Sequence, residues 1–202
     1  MTGLRELQRQ RVREAISSAA IRLFLARGFD EVPVTEIAAA AQVSKPTLFK
    51  YFPTKEDLVL HRIADHRGEP ARVVRGRGPG ESPVAALRRH FLDGLARHDP
   101  VTGLNDHPEV MGFHRMVFGT PSLGARVSTY VEHDERTLAE ALTGPYDELT
   151  ASLLAAQALA VQRVLARRNW RALADGVPLA ELEPEAVRAA GVAFGLLEPG
   201  PA

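Results

Sequence analysis

Apolar positions recur along this chain at three- and four-residue spacing. Alternating β-branched runs and Asn-Gly hairpin signals are missing, so the pattern predicts an all-α fold. The first stripe, Leu7, Val12, Ile16, Ala19, Ala20, Leu23 and Phe24, predicts a helix that Gly28 ends. Short helices are expected over residues 35–41 and 45–52, and a fourth over residues 55–67. The stretch GEPARVVRGRGPGESP that follows is dense in Gly and Pro and reads as a loop. Its GRGPG has neither phosphate-binding spacing nor a preceding strand. Ser82 then reads as an N-cap with Pro83 at the first helical position, opening a helix that ends near Arg97. DPVTGLNDHP is a second loop. Helices follow over residues 107–118 and 121–142, then from Tyr146 to Ala174 and from Pro184 to Leu197.

Residues 34–52 hold two short helices joined by a tight turn. Ile37, Ala38 and Ala41 give the first its apolar side, Val43 lies in the turn, and Ser44 is a good N-cap for the second. Leu48 and Phe52, four residues apart, form an inward seam, while Lys45, Thr47, Lys50 and Tyr51 face outward. A helix-turn-helix needs this arrangement, because its second helix enters the major groove with its N-terminal residues toward the base edges. The positive helix end around Ser44, Lys45, Pro46 and Thr47 attracts phosphate. Lys45 and Lys50 can reach phosphates or guanine O6 and N7, and Thr47 a phosphate or a thymine methyl. The Tyr51 hydroxyl can donate to a phosphate oxygen. Thr54, with Asp57 three residues on, has a capping-box-like spacing that holds Lys55 near the DNA backbone. On the pattern alone the competing reading is a helical corner with solvated lysines.

Composition sharpens this picture. Lys45, Lys50 and Lys55 are the only lysines among 202 residues; the other 22 cations are arginine. Acidic and basic residues balance at 25 each. Over residues 1–67, however, eleven cations oppose eight acids, which suits a nucleic-acid head on a non-binding body. The absence of cysteine excludes disulfides, thiolate metal sites and thiol redox sensing. Residues 1–14 are charged throughout, unlike a signal peptide. The most apolar run, residues 151–166, is interrupted by Gln157, Gln162 and Arg163 and is shorter than a membrane span of about 20 residues. A soluble cytoplasmic protein is the expectation.

GFDEVPVTEIAAAAQVSKPTLFKYFPTKEDLVL resembles the N-terminal DNA-binding domain of the TetR family of transcriptional regulators. The matching residues are Gly28, Phe29, Val34, Ile37, Ala38, Val43, Ser44, Thr47, Leu48, Phe49, Tyr51, Phe52, Lys55 and Leu58. The resemblance covers residues from about 10 to 66; the remainder matches in size and helical character. It implies a helix-turn-helix domain over residues 1–54 and a larger C-terminal helical ligand-binding and dimerisation domain over residues 55–202, with residues 55–67 as the connecting helix. It also implies a homodimer on a double-stranded, pseudo-palindromic operator and release by a small-molecule effector, mostly as a repressor. Three positions depart from the family pattern. Pro33 replaces a capping Thr, so that phosphate contact is lost or shifts to Thr35. Gln42 takes the turn position usually held by Gly, at a cost of about 1 kcal/mol if the turn stays left-handed. Phe49 lacks the hydroxyl of a Tyr. DNA contacts are thus expected from Thr35, Ser44, Lys45, Pro46, Thr47, Lys50, Tyr51 and Lys55, with Arg9 and Arg13 as further candidates for holding the backbone.

In the body, the helix from Tyr146 to Ala174 is apolar on more than one face and the last helix is rich in Ala and Gly. The resemblance implies that these two pair with their copies across a two-fold axis; the alternative is monomer core. Met111, Phe113, Met116 and Phe118 mix soft and aromatic groups with His114, which suits a ligand pocket or, equally, plain core. Tyr130, His133 and Trp170 are weaker pocket candidates. His107 and His114 can share a helix face, yet no metal-ligand spacing surrounds them, so surface or capping roles are expected and no metal or cofactor is. No nucleophile elbow, Walker loop or Rossmann fingerprint is present, which argues against an enzyme. A second reading rests on Pro33 and Phe49: a helical small-molecule-binding or enzymatic protein that has lost DNA binding.

Overall fold

The structure is a computed structural model that describes residues 2–198. Among the described residues it contains helices and no strand. Contacts divide the chain into two compact units, Met1–Asp65 with Gly112–Ser128, and His66–Met111 with Thr129–Ala202. The division falls beyond residue 54 because Leu58, Val59 and Leu60 are all buried within the first unit.

The first unit, the head, is built on α1 (Thr2–Arg27), α2 (Val34–Ala40), α3 (Lys45–Tyr51) and α4 (Asp57–Ala64). Ile16, Ala19, Ala20 and Phe24 of the first stripe are buried as the periodicity requires. Leu7 is not: it is 60% exposed, because the described side chains from Glu6 to Arg11 lie on turns of α1 that precede its packed region. Gly28 ends the helix at φ 94°, its N–H donating to the Phe24 carbonyl at 2.8 Å. Phe24 then packs against Phe29 with ring centroids 5.0 Å apart.

The fourth helix is shorter than the periodicity suggested. It stops at Ala64, and Gly68 adopts a left-handed φ of 69° before α5 (Glu69–Arg75) begins. The expected loop after Arg67 therefore contains a helix over Glu69–Arg75. Pro70 sits in the first turn of α5, where its missing N–H costs nothing, and Ala71 and Val74 are buried three residues apart. Gly76 closes that helix, leaving a shorter loop before α6 (Pro83–Ala96). Ser82 caps α6 as expected, accepting the Ala85 N–H at 3.0 Å.

After α6 the second expected loop contains a 3-10 turn, Pro100–Thr102, whose Thr102 is buried. Next come α7 (Pro108–Gly119), α8 (Pro121–Leu142), α9 (Glu148–Ala174) and α10 (Leu179–Gly195). The body core gathers Val74, Phe91, Leu104, Leu138, Leu154 and Phe194, with Phe91 and Phe194 rings 5.8 Å apart. Helix α10 starts earlier than Pro184 suggested. Its first helical bond runs from the Leu182 N–H to the Pro178 carbonyl at 3.0 Å, and burial of Leu182 outweighs the one bond that Pro184 removes. Both α7 and α8 are divided, with residues 112–119 and 121–128 belonging to the head.

Candidate nucleic-acid interface

Helix α2 begins without a side-chain cap, since Pro33 at its N-cap makes no such bond. Thr35 lies exposed in its first turn. The helix ends in a Schellman turn: the Gln42 N–H donates to the Ala39 carbonyl at 3.0 Å, and the Val43 N–H to the Ala38 carbonyl at 2.9 Å. Gln42 has φ 55°, so the turn is left-handed without glycine.

This turn aims α3. Ser44 caps α3, its Oγ accepting the Thr47 N–H at 3.2 Å and lying 2.8 Å from the Thr47 hydroxyl. Pro46 fixes the first turn. Leu48 and Phe52 are buried as the inward seam, whereas Lys45, Pro46, Phe49 and Lys50 are exposed and Thr47 and Tyr51 half-buried. The outward face thus brings Lys45, Thr47, Lys50 and Tyr51 together on one short helix. The Lys45 ammonium lies 5.9 Å from the Phe49 ring centroid, so that ring supports a cation where a tyrosine would offer a hydroxyl.

Beyond α3 the expected capping box is present. The Thr54 N–H donates to Asp57 Oδ2 at 3.0 Å, and the Asp57 N–H to Thr54 Oγ1 at 3.2 Å. Lys55 is tied down: its ammonium donates to the Asp30 carbonyl at 3.3 Å and lies 4.8 Å and 5.7 Å from the Phe29 and Phe24 ring centroids. Arg13, a candidate for the DNA backbone, stacks its guanidinium 5.6 Å over Phe52. Arg27 pairs with Glu36, joining α1 to α2.

Two features of the head carry no local sequence signal. Arg126, from α8, donates to Asp57 Oδ1 at 3.0 Å, so Asp57 serves both the cap and a residue 69 positions away. His61 lies edge-on to Phe52 at 5.3 Å, with Nδ1 3.3 Å from Ser17 Oγ. Burial, and then the neighbouring Arg13 charge, hold its pKa below the usual 6.5.

The expected pocket residues are distributed over both units. Phe113, His114, Met116 and Phe118 belong to the head, and Met111, Tyr130 and Trp170 to the body. Phe118 is 52% exposed, with the His114 ring 5.7 Å away. Tyr130 lies 4.9 Å beneath the Arg67 guanidinium, and His133 Nδ1 is 3.3 Å from an Arg136 nitrogen. His107 has a capping role, its Nδ1 accepting the Glu109 N–H at 3.3 Å.

Helix α9 buries Leu154, Leu159 and Leu165 but leaves Leu149, Leu153 and Val164 at 69%, 54% and 63% exposure. Helical spacing places those three within one narrow stripe. At the end of α10, Val192 and the C-cap residue Leu196, four positions apart, form a second exposed apolar stripe. Among the described residues α9 is the one helix long and apolar enough to cross a membrane, by length and composition.

Residues 16–61 match the family described as bacterial regulatory proteins, tetR family. Over 180 residues the chain is 30% identical to the HTH-type transcriptional regulator TcmR of Streptomyces glaucescens, covering 86% of this chain and 79% of that one. It is 36% identical to the regulator RutR of Escherichia coli K12 over 93 residues, 45% of this chain and 42% of RutR. Its fold resembles that of NalD, the secondary repressor of the MexAB-OprM multidrug efflux pump in Pseudomonas aeruginosa. There the TM-score is 0.63 at 16% identity, with 92% of this chain and 96% of NalD covered. SmeT in complex with triclosan gives 0.56 at 16% identity, with 92% and 89% covered. With the helix-turn-helix geometry in place and the likeness to TcmR running through head and body alike, the chain belongs to the TetR family of transcriptional regulators.

Proposed function

We propose that this regulator is a cytoplasmic homodimeric repressor that grips a pseudo-palindromic operator and lets go when a small apolar effector binds residues 55–202. The observation that carries the reading is the outward face of α3, where Lys45, Thr47, Lys50 and Tyr51 stand together above a buried Leu48 and Phe52. Such a face can enter a major groove, where Lys50 and Lys45 meet guanine edges and Tyr51 a phosphate. Thr35 in the exposed first turn of α2 is the phosphate donor left by the substitution at Pro33. Two heads reading one palindrome need a two-fold partner, and the apolar stripes of α9 and α10 supply a surface for it. An apolar effector is in keeping with the triclosan bound by SmeT and the multidrug pump controlled by NalD.

The test is fluorescence anisotropy of the full chain on DNA flanking its own gene, titrated with salt. Tight binding with a steep salt slope and two protected half-sites is expected. Lys50→Ala should relax sequence preference, and Lys55→Ala should weaken all sequences alike. Affinity no better than for random DNA, there and after selection from a randomised pool, would favour a protein that has lost DNA binding through Pro33 and Phe49.

A further inference from the structure

The chain writes its positive charge in two chemistries. Its 22 arginines are spread over head and body, whereas its three lysines all fall between positions 45 and 55. A guanidinium stays protonated in proteins and has no electron pair with which to attack a carbonyl carbon. A lysine ammonium exchanges its proton and becomes a nucleophilic amine, which is why lysine is the target of acylation and arginine is not. Side-chain amine chemistry in this protein is therefore confined to the reading helix and the turn that follows it.

The three amines are not equivalent. Lys50 lies exposed in the last turn of α3. Lys45 is also exposed, but its ammonium lies 5.9 Å from the Phe49 ring centroid. Lys55 is half-buried and held on several sides. Its ammonium donates to the Asp30 carbonyl at 3.3 Å and lies 4.8 Å and 5.7 Å from the Phe29 and Phe24 ring centroids. Each of those contacts is made by the charged form and covers a direction from which an acyl donor would approach. The geometry thus sets an order of reaction: Lys50 first, Lys45 second and Lys55 last. The two that react are the two on the outward face.

We infer that Lys50 and Lys45 are acylation sites through which an activated acyl group, an acyl phosphate or an acyl thioester, switches off DNA binding. The inference rests on the regulator reading above. The deprotonated Nζ attacks the acyl carbonyl carbon and a C–N bond forms. The bond from that carbon to phosphate oxygen or thiol sulfur breaks, the phosphate or thiolate leaves with the electron pair, and the amine proton passes to water. The product amide is neutral and can no longer pair with a phosphate or offer an ammonium to a guanine edge. Lys55 keeps its place on Phe29 and the Asp30 carbonyl, so the head stays folded while its reading face loses charge. The body carries only arginine and is chemically silent to the same donor.

The experiment treats the full chain with acetyl phosphate in one arm and acetyl-coenzyme A in another, and reads each lysine by peptide mass spectrometry over time. Ordered modification in either arm supports the inference and identifies the donor. In urea all three lysines should react alike, because the contacts that shield Lys55 are gone. A duplex selected by the untreated protein from a randomised pool should protect Lys50 and Lys45 when bound. On that duplex the modified protein should lose about fivefold or more in affinity, with a flatter salt slope and unchanged helix content by circular dichroism. The Lys45→Arg, Lys50→Arg double variant, whatever its own starting affinity, should no longer respond to the donor. Three outcomes would overturn the inference: Lys55 reacting as fast as Lys50 in the folded protein, modification without loss of affinity, or a double variant that still responds. Lysines that neither donor modifies would do so as well. An untreated protein that selects no operator would remove the regulator reading instead, while the order of modification would still be read.

Discussion

Gln42 occupies the position where the chain between α2 and α3 needs a left-handed residue. Its φ of 55° and the two Schellman bonds of the turn are in place. For an L-residue with a Cβ this conformation costs about 1–2 kcal/mol, because the Cβ crowds the following carbonyl. Glycine escapes that cost and gives back part of the gain through the larger conformational freedom it loses on folding. Gln42 is exposed, so its removal takes no packing with it. The net expectation for Gln42→Gly is a stabilisation of about 1 kcal/mol. For a chain of 202 residues this is a rise in Tm of about 2–4 °C. Gln42→Asn, which tolerates the left-handed region, should gain less, and Gln42→Ala should gain nothing. Thermal unfolding followed by circular dichroism at one fixed protein concentration measures all three. DNA affinity should stay unchanged, since the turn that aims α3 is already left-handed. A Gln42→Gly protein no more stable than the alanine variant would refute the assignment of strain to this turn. So would one with altered sequence preference, because it would mean that Gln42 itself sets the angle of the reading helix.

The body offers a sharper loss. A Cβ on Gly103 would sit 1.9 Å from the Ala166 carbonyl oxygen, at φ 71°, so Gly103→Ala should destabilise by well over about 2 kcal/mol, read as a large fall in Tm. His61 should make the head acid-sensitive. Its folded pKa lies below 6.5, so the unfolded chain binds the proton more readily; the stability it confers is complete above pH 6.5 and is lost as pH falls through and below that value. The fall in Tm between pH 7.5 and pH 5.5 should therefore be smaller in His61→Gln than in wild type; an equal fall would assign the acid sensitivity elsewhere. Leu153→Arg with Val164→Arg, on the exposed stripe of α9, should convert a dimer to a monomer in sedimentation while leaving helix content intact. A double variant that still sediments as a dimer would place the interface elsewhere.

The sequence by itself determined the helical class, the helix-turn-helix and most helix ends, because these are written in local signals. Ser44, Ser82, Thr54 with Asp57, and Gly28 each state a helix boundary through a bond within a few residues, and each bond is made. The strained turn at Gln42 was legible for the same reason. Where Gly and Pro stood close together the local signal misled. In GEPARVV, burial of Ala71 and Val74 outweighed the breakers and made α5, and burial of Leu182 carried α10 back past Pro184. Leu7 failed in the opposite direction: it has the period of a core residue and no core to meet. Only the tertiary structure decided what the cations do. Lys45 and Lys50 remain outward, but Lys55 is drawn onto Phe29 and the Asp30 carbonyl and Arg13 onto Phe52. The hydrogen bonds that Arg126 donates to Asp57 and the Gly68 N–H donates to Asp134 span 69 and 66 positions, and no periodicity or spacing encodes such a pairing. A helix repeats every few residues, so its faces and ends can be read along the chain; which face meets which partner depends on how the whole chain packs.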